Sequence, residues 1–162
     1  MSQKFNFQPK LIVYDFDGVM TDNRVAVDEN GKESVTVHRG DGWGVRMIKD
    51  DLKIPQIILS TEANPVVSKR AEKLRIPVIH NVGDSKRNIL ENYCSENGFT
   101  CSDVLYIGND LNDFDAMMMC GFHACPADAE PEIKAVSDYI FEAKGGYGVI
   151  RELYRLLFEV IR

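Results

Sequence analysis

The sequence predicts an α/β domain built on a doubly wound, Rossmann-like parallel sheet, and three observations carry that expectation. Apolar runs of strand length alternate with segments of helical periodicity. The polar residues that close several of these runs are the kind that gather at one edge of a parallel sheet. The 162 residues, 44% of them hydrophobic, make one core and leave no room for a second ordinary domain. Residues 1–162 are therefore read as a single domain, with no internal repeat, low-complexity tract or interdomain linker.

The first predicted strand covers 10–14 and runs into Asp15-Phe16-Asp17-Gly18-Val19-Met20-Thr21-Asp22. In extended chain, residues two apart point to the same side, so Asp15 and Asp17 would sit together where the apolar stretch ends. Two carboxylates that close repel unless a cation or a shared proton intervenes. A surface turn built on Asp-Gly explains the same residues without any site. Next, Arg24–Val27 and Ser34–Val37 flank Asp28-Glu29-Asn30-Gly31-Lys32, whose Asn-Gly signals a β-hairpin over 23–38. The hairpin follows the carboxylate pair at once, as a lid or as an edge open to another subunit.

Helical periodicity then covers 43–52, 64–75, 84–97, 111–119 and 130–136, with strands at 55–60, 77–80, 103–107 and 138–141 between them. Leu111, Phe114, Met117 and Met118 have helical spacing and read as core. Val149, Ile150, Leu153, Leu156, Leu157 and Val160 close the described pattern with an amphipathic helix.

Three more strand ends carry polar groups toward the same edge as Asp15 and Asp17. Ser60-Thr61-Glu62 offers a hydroxyl and free amides before a helix, which suits an anion or a simple helix cap. Lys86 stands at a predicted helix start, where a cation opposes the helix dipole. It is either aimed at the carboxylates or a solvated surface lysine. Gly108-Asn109-Asp110-Leu111-Asn112-Asp113 is an oxygen-rich turn that fits a hard cation such as Mg²⁺, or a capped turn.

The formal net charge of -6 argues against a nucleic-acid or anionic-membrane partner. No apolar run reaches a membrane span and residues 1–6 lack a signal-peptide core, so a cytoplasmic location is expected. Cys94, Cys101, Cys120 and Cys125 are scattered and read as reduced thiols. His38, His80 and His123 are too dispersed for a metal cluster and read as structural or substrate-facing residues.

Taken in order, Asp15–Asp22, Ser60, Lys86 and Gly108–Asp113 resemble the four motifs of the haloacid dehalogenase superfamily over residues 10–125. A phosphoacceptor response-regulator domain fits less well, because Ser60 and not an aspartate ends the second core strand. The Gly-Val-Met-Thr-Asp ending, the hairpin, Arg39-Gly40-Asp41-Gly42-Trp43-Gly44 and Lys144–Glu152 narrow the likeness. They resemble the capless sugar-acid phosphatases that act on 3-deoxy-ulosonic acids, and the related domain fused to acylneuraminate cytidylyltransferases.

That resemblance implies a Mg²⁺-dependent phosphatase acting on an octulosonate 8-phosphate or a nonulosonate 9-phosphate, without a separate cap domain. Asp15 would be the nucleophile, Asp17 the acid and base, and Lys86 a further catalytic cation. Ser60, Thr61, Glu62, Arg39 and Lys73 would bind phosphate or sugar. Asp15, Asp17, Asn109 and Asp110 would hold the metal, with Asp113 supporting Lys86. Arg70 and Asp41 lie near the substrate candidates. The resemblance also implies a homotetramer assembled through the hairpins. One departure stands out: the fourth motif commonly begins Gly-Asp, and this chain has Gly108-Asn109. The loss of that charge leaves open a weakly active assembly module associated with a cytidylyltransferase.

Overall fold

In a computed structural model, residues 4–83 and 85–162 are described. Asp84, which the periodicity places at the start of a helix, lies outside them. Eight strands and six α-helices follow in the order β1 (Leu11–Tyr14), β2 (Ala26–Val27), β3 (Glu33–Ser34), α1 (Arg39–Met47), β4 (Gln56–Leu59), α2 (Val66–Leu74), β5 (Val78–Ile79), α3 (Lys86–Asn97), β6 (Val104–Ile107), α4 (Phe114–Met117), β7 (Phe122–Cys125), α5 (Pro131–Val136), β8 (Tyr139–Ile140) and α6 (Val149–Ile161). A turn of π-helix over Ile48–Leu52 continues α1.

Six strands form one sheet in the order β5-β4-β1-β6-β7-β8, and every pairing in it is parallel. The chain starts in the middle, winds outward through β4 and β5, and returns past β1 to β6 and beyond. The direction therefore reverses beside β1, and that switch point is where such sheets open a crevice beyond the strand ends.

The period of two along β1 sorts its side chains into two cores. Ile12 and Tyr14 join α1, α2 and α6 on one face. Leu11 and Val13 join α3, α4 and α5 on the other. Gly44 allows α1 to lie against the start of α6, since a Cβ there would stand 2.6 Å from the Ile150 carbonyl oxygen. Asp41 fixes the same junction: its Oδ1 accepts from Ile150 N at 2.8 Å and Arg151 N at 3.2 Å. A carboxylate from 109 residues away thus caps α6, which gives Asp41 a structural role rather than the substrate-side place its sequence neighbours suggested.

Three expectations change. β7 was not anticipated, because Phe122-His123-Ala124-Cys125 is short and a histidine breaks its apolar run. The hairpin is present at 26–34, but each strand has only two paired residues, with a further bridge between Thr21 and Val37. The helix expected over 111–119 is a 3₁₀ turn followed by four α-helical residues, which buries Met117 and leaves Leu111 and Met118 exposed. The four cysteines are free thiols, and no helix among the described residues is long and apolar enough to cross a membrane.

Candidate active site

Asp15 follows β1 directly and is 4% exposed. Its amide donates to Ile107 O of neighbouring β6 at 2.9 Å, so the sheet ladder itself sets its position. Gly18, at φ +82°, turns the chain away. Thr21 then braces the turn: its Oγ1 donates to Asp17 Oδ1 at 3.3 Å and accepts from Gly18 N and Asn23 N.

Lys86 is the first residue of α3, yet it is 1% exposed. Its Nζ lies 2.8 Å from Asp15 Oδ1 and 2.7 Å from Asp113 Oδ1. A buried ammonium costs several kcal/mol of desolvation unless matched in this way. The cation that looked misplaced on the helix is aimed at two carboxylates. Asp113, fully buried, also accepts from Tyr106 Oη at 2.8 Å and from Asn109 N at 2.9 Å.

Burial, and then the charge of Asp113, lift the Asp15 carboxyl to about 7 against the opposing pull of Lys86. Lys86 is raised as well: burial pulls it down, but Asp15 and Asp113 together outweigh that loss. Asp17 is only half-buried and is also raised, by burial first and with Glu62 adding to it, so it is suited to carrying a proton.

On the other side of Asp15, the outer atom of the Asn109 amide stands 2.8 Å from the Asp17 carbonyl oxygen and 3.1 Å from Asp15 Oδ2. With oxygen in that place, a carboxylate, a backbone carbonyl and an amide converge. An octahedral Mg²⁺ with ligands at about 2.0–2.1 Å has neighbouring oxygens about 2.9 Å apart, so this donor set fits a small hard cation. Among the described residues there is no group of three His, Cys, Asp or Glu side chains that could hold a metal, and a mixed oxygen set is the alternative. Asp110 is differently engaged: its Oδ1 accepts from Leu111 N at 2.6 Å and caps the following 3₁₀ turn.

Ser60 is buried beyond β4 and accepts from Glu62 N at 3.1 Å, while Thr61 accepts from Asn112 at 3.3 Å. Neither caps α2, which starts at Val66; Asn64 does so, accepting from Val66 N at 3.0 Å. Glu62 and Asp17 line a cleft of about 270 Å³ with Asn23, Arg24, Glu33 and Asn64. The sequence pattern did not single out those four. Asn23, Arg24 and Glu33 belong to the hairpin segment and carry only turn or charge signals, though Asn64 stands one residue before Pro65 at the helix start.

Arg39 and Lys73 are not in that cleft. They line a separate pocket of about 860 Å³ with Arg46, Lys49, Arg70 and Arg75. Within one chain they therefore stand apart from Glu62, because α2 carries Lys73 along its own axis, about 10 Å beyond the helix start.

A parallel sheet whose first strand ends in two carboxylates, with a buried lysine beside them and an oxygen-rich turn after β6, is the arrangement of a hydrolase of the haloacid dehalogenase type. The family model for haloacid dehalogenase-like hydrolases matches residues 44–153, and the chain belongs to that family. A curated relative, the 3-deoxy-D-manno-octulosonate 8-phosphate phosphatase KdsC of Haemophilus influenzae, is 29% identical over 151 residues, covering 93% of this chain and 83% of the relative. A HAD-family hydrolase from Streptomyces avermitilis superposes with a TM-score of 0.92 at 38% identity, over 98% of this chain and 91% of that one. The 3-deoxy-D-manno-octulosonate 8-phosphate phosphatase of Moraxella catarrhalis, solved with a magnesium ion, a phosphate ion and KDO, gives a TM-score of 0.89 at 30% identity, over 94% and 87%. Within the family the chain resembles these sugar-acid phosphatases and is an enzyme of their phosphatase type.

Proposed function

We propose that the chain is a Mg²⁺-dependent phosphatase that releases phosphate from an 8- or 9-phosphorylated 3-deoxy-ulosonic acid through an aspartyl-phosphate. The observation that carries the reading is the buried Asp15–Lys86–Asp113 bridge beside the Asn109–Asp17–Asp15 oxygens. Asp15, the Asp17 carbonyl and Asn109 would hold Mg²⁺, whose positive charge would offset that of phosphate approaching a carboxylate.

The chain's own groups do the rest. Asp15 attacks phosphorus and the ester oxygen departs, taking the proton that Asp17 carries. Asp17, now a carboxylate, takes a proton from the water that hydrolyses the aspartyl-phosphate. Lys86 keeps Asp15 Oδ1 in place and neutralises charge that builds on the transferring oxygens, aided by Ser60 and Thr61. Glu62 and its cleft neighbours accept from sugar hydroxyls. The substrate choice follows the relatives, two of which are phosphatases of octulosonate 8-phosphate; the nine-carbon alternative rests on Glu62 with Lys73.

The reading includes a homotetramer. The cleft that holds Asp17, Glu33 and Glu62 is acidic, and the pocket that holds Arg39, Arg70 and Lys73 is basic. Complementary faces on one chain suit head-to-tail closure, which returns Arg39 and Lys73 to a neighbour's substrate. The non-catalytic alternative rests on the neutral Asn109 alone and leaves the buried Lys86 bridge without a purpose.

Phosphate release from octulosonate 8-phosphate and acylneuraminate 9-phosphate, measured with Mg²⁺ and with chelator, tests the proposal. Turnover of one substrate with Mg²⁺ and a loss of at least about 10⁴-fold in Asp15→Asn are expected. Release from neither, or release that survives Asp15→Asn, overturns it.

A further inference from the structure

We infer that Asn109 is a positioning residue with two faces: its amide nitrogen ties Asp15 and Asp17 together before the metal arrives, and a half-turn of the same amide then offers oxygen to the metal. This rests on the Mg²⁺ reading above and goes beyond it.

The geometry allows little else. Asn109 is 6% exposed, and its own amide N–H is fixed to Asp113 Oδ2 at 2.9 Å. Its side chain lies flat against Gly18, where an added Cβ would stand 2.0 Å from Nδ2 and 2.4 Å from Cγ. The side chain is therefore walled in, and rotation about Cβ–Cγ, which exchanges two atoms of nearly equal size, is the motion left to it. With oxygen outward, two other oxygens, Asp17 O and Asp15 Oδ2, lie 2.8 and 3.1 Å from the amide oxygen, and the three need a cation between them. With nitrogen outward, the same distances become two hydrogen bonds, to Asp17 O and to Asp15 Oδ2.

An aspartate in this place has no second face. It would bring a third carboxylate to a site that already buries Asp15 and Asp113 around one lysine, and without metal nothing would offset it. The asparagine gives up one charge toward the metal and gains a site that satisfies itself. The nucleophile and the Asp15–Gly18 turn thus hold one arrangement in both states, and metal entry must displace two hydrogen bonds.

Three readouts on the full chain test this: thermal melting in chelator and in saturating Mg²⁺, calorimetric Mg²⁺ titration, and the side-chain ¹⁵N–¹H₂ resonances of Asn109. Asn109→Asp should melt lower in chelator than the parent, gain more from Mg²⁺, and bind Mg²⁺ at least about tenfold tighter. In the parent, the Asn109 NH₂ pair should shift and lose exchange protection when Mg²⁺ binds. Equal melting in chelator for the two proteins, or an NH₂ pair unmoved while calorimetry records binding, overturns the inference and leaves the metal reading intact. Absence of calorimetric Mg²⁺ binding in both proteins overturns the metal reading and the inference with it.

Discussion

The crevice around Asp15 and the pocket around Lys73 are built to opposite rules. In the crevice the charges are buried and matched within the chain: Lys86 sits between Asp15 and Asp113, and Tyr106 and backbone amides fill the remaining acceptors. In the pocket six cationic residues face one acid, Asp50, and solvent reaches them. Beside it Trp43 is 58% exposed, and the hairpin presents Val25 and Val27 outward. The contrast teaches that the chain matches the charges of the crevice within itself and leaves those of the pocket to solvent. Strand ends are held by a hydrogen-bonded ladder, whereas the hairpin has only two paired residues in each strand.

The sharpest way to break the comparison is to remove one lysine from each region. Lys86→Met should cost about 3–5 kcal/mol of stability, because it strands two buried carboxylates, and should remove nearly all turnover. Lys73→Met should change stability by less than about 0.5 kcal/mol while raising KM for the sugar acid. Denaturant titration and steady-state kinetics read both; similar stability losses would erase the distinction.

Opening the hairpin comes next. On the proposal that the hairpins join a homotetramer, Val25→Glu with Val27→Glu should yield smaller species than the parent in analytical ultracentrifugation and lower kcat/KM by about tenfold or more, with a thermal midpoint for the core that barely moves. Undiminished assembly would place the interface elsewhere.

The crevice should also show itself in pH. Asp15 rises from 3.8 to about 7 on folding, so between those values the folded protein holds a proton that the unfolded chain has released. Metal-free stability therefore falls as pH climbs through that window, and Asp17 adds a slope of the same sign. Asp15→Asn should flatten the profile, and a parent whose melting temperature is level from pH 5 to 7.5 would contradict the burial argument. A more local effect belongs to Asp41→Ala, about 1 kcal/mol from the lost cap on α6, measured by chemical denaturation with activity per folded molecule unchanged.

The sequence revealed the crevice better than the pocket, for a physical reason. Parallel strands bring their ends to one edge whatever the loops between them do, so Asp15, Ser60, Lys86 and Asn109 could be gathered from order and spacing alone. Helix direction is not so generous. Lys73 follows Ser60 closely along the chain, and α2 still carries it to another face. β7 escaped because four residues with a histidine among them give no clear period. The Asp41 contact with α6 spans 109 residues and leaves no local trace, and the choice between Asn109 and Asp110 turns on side-chain orientations that spacing does not encode.

The loop that follows Asp15 also leans on a segment made much later. Gly146 N donates to Val19 O at 3.0 Å, and Gly145 packs so close to Gly18 that a Cβ would stand 2.0 Å from its carbonyl oxygen. During synthesis, then, Asp15 emerges more than a hundred residues before the wall behind it. A chain that stopped before Gly145 would carry Asp15, Lys86 and Asn109 and still lack the surface that shapes their turn.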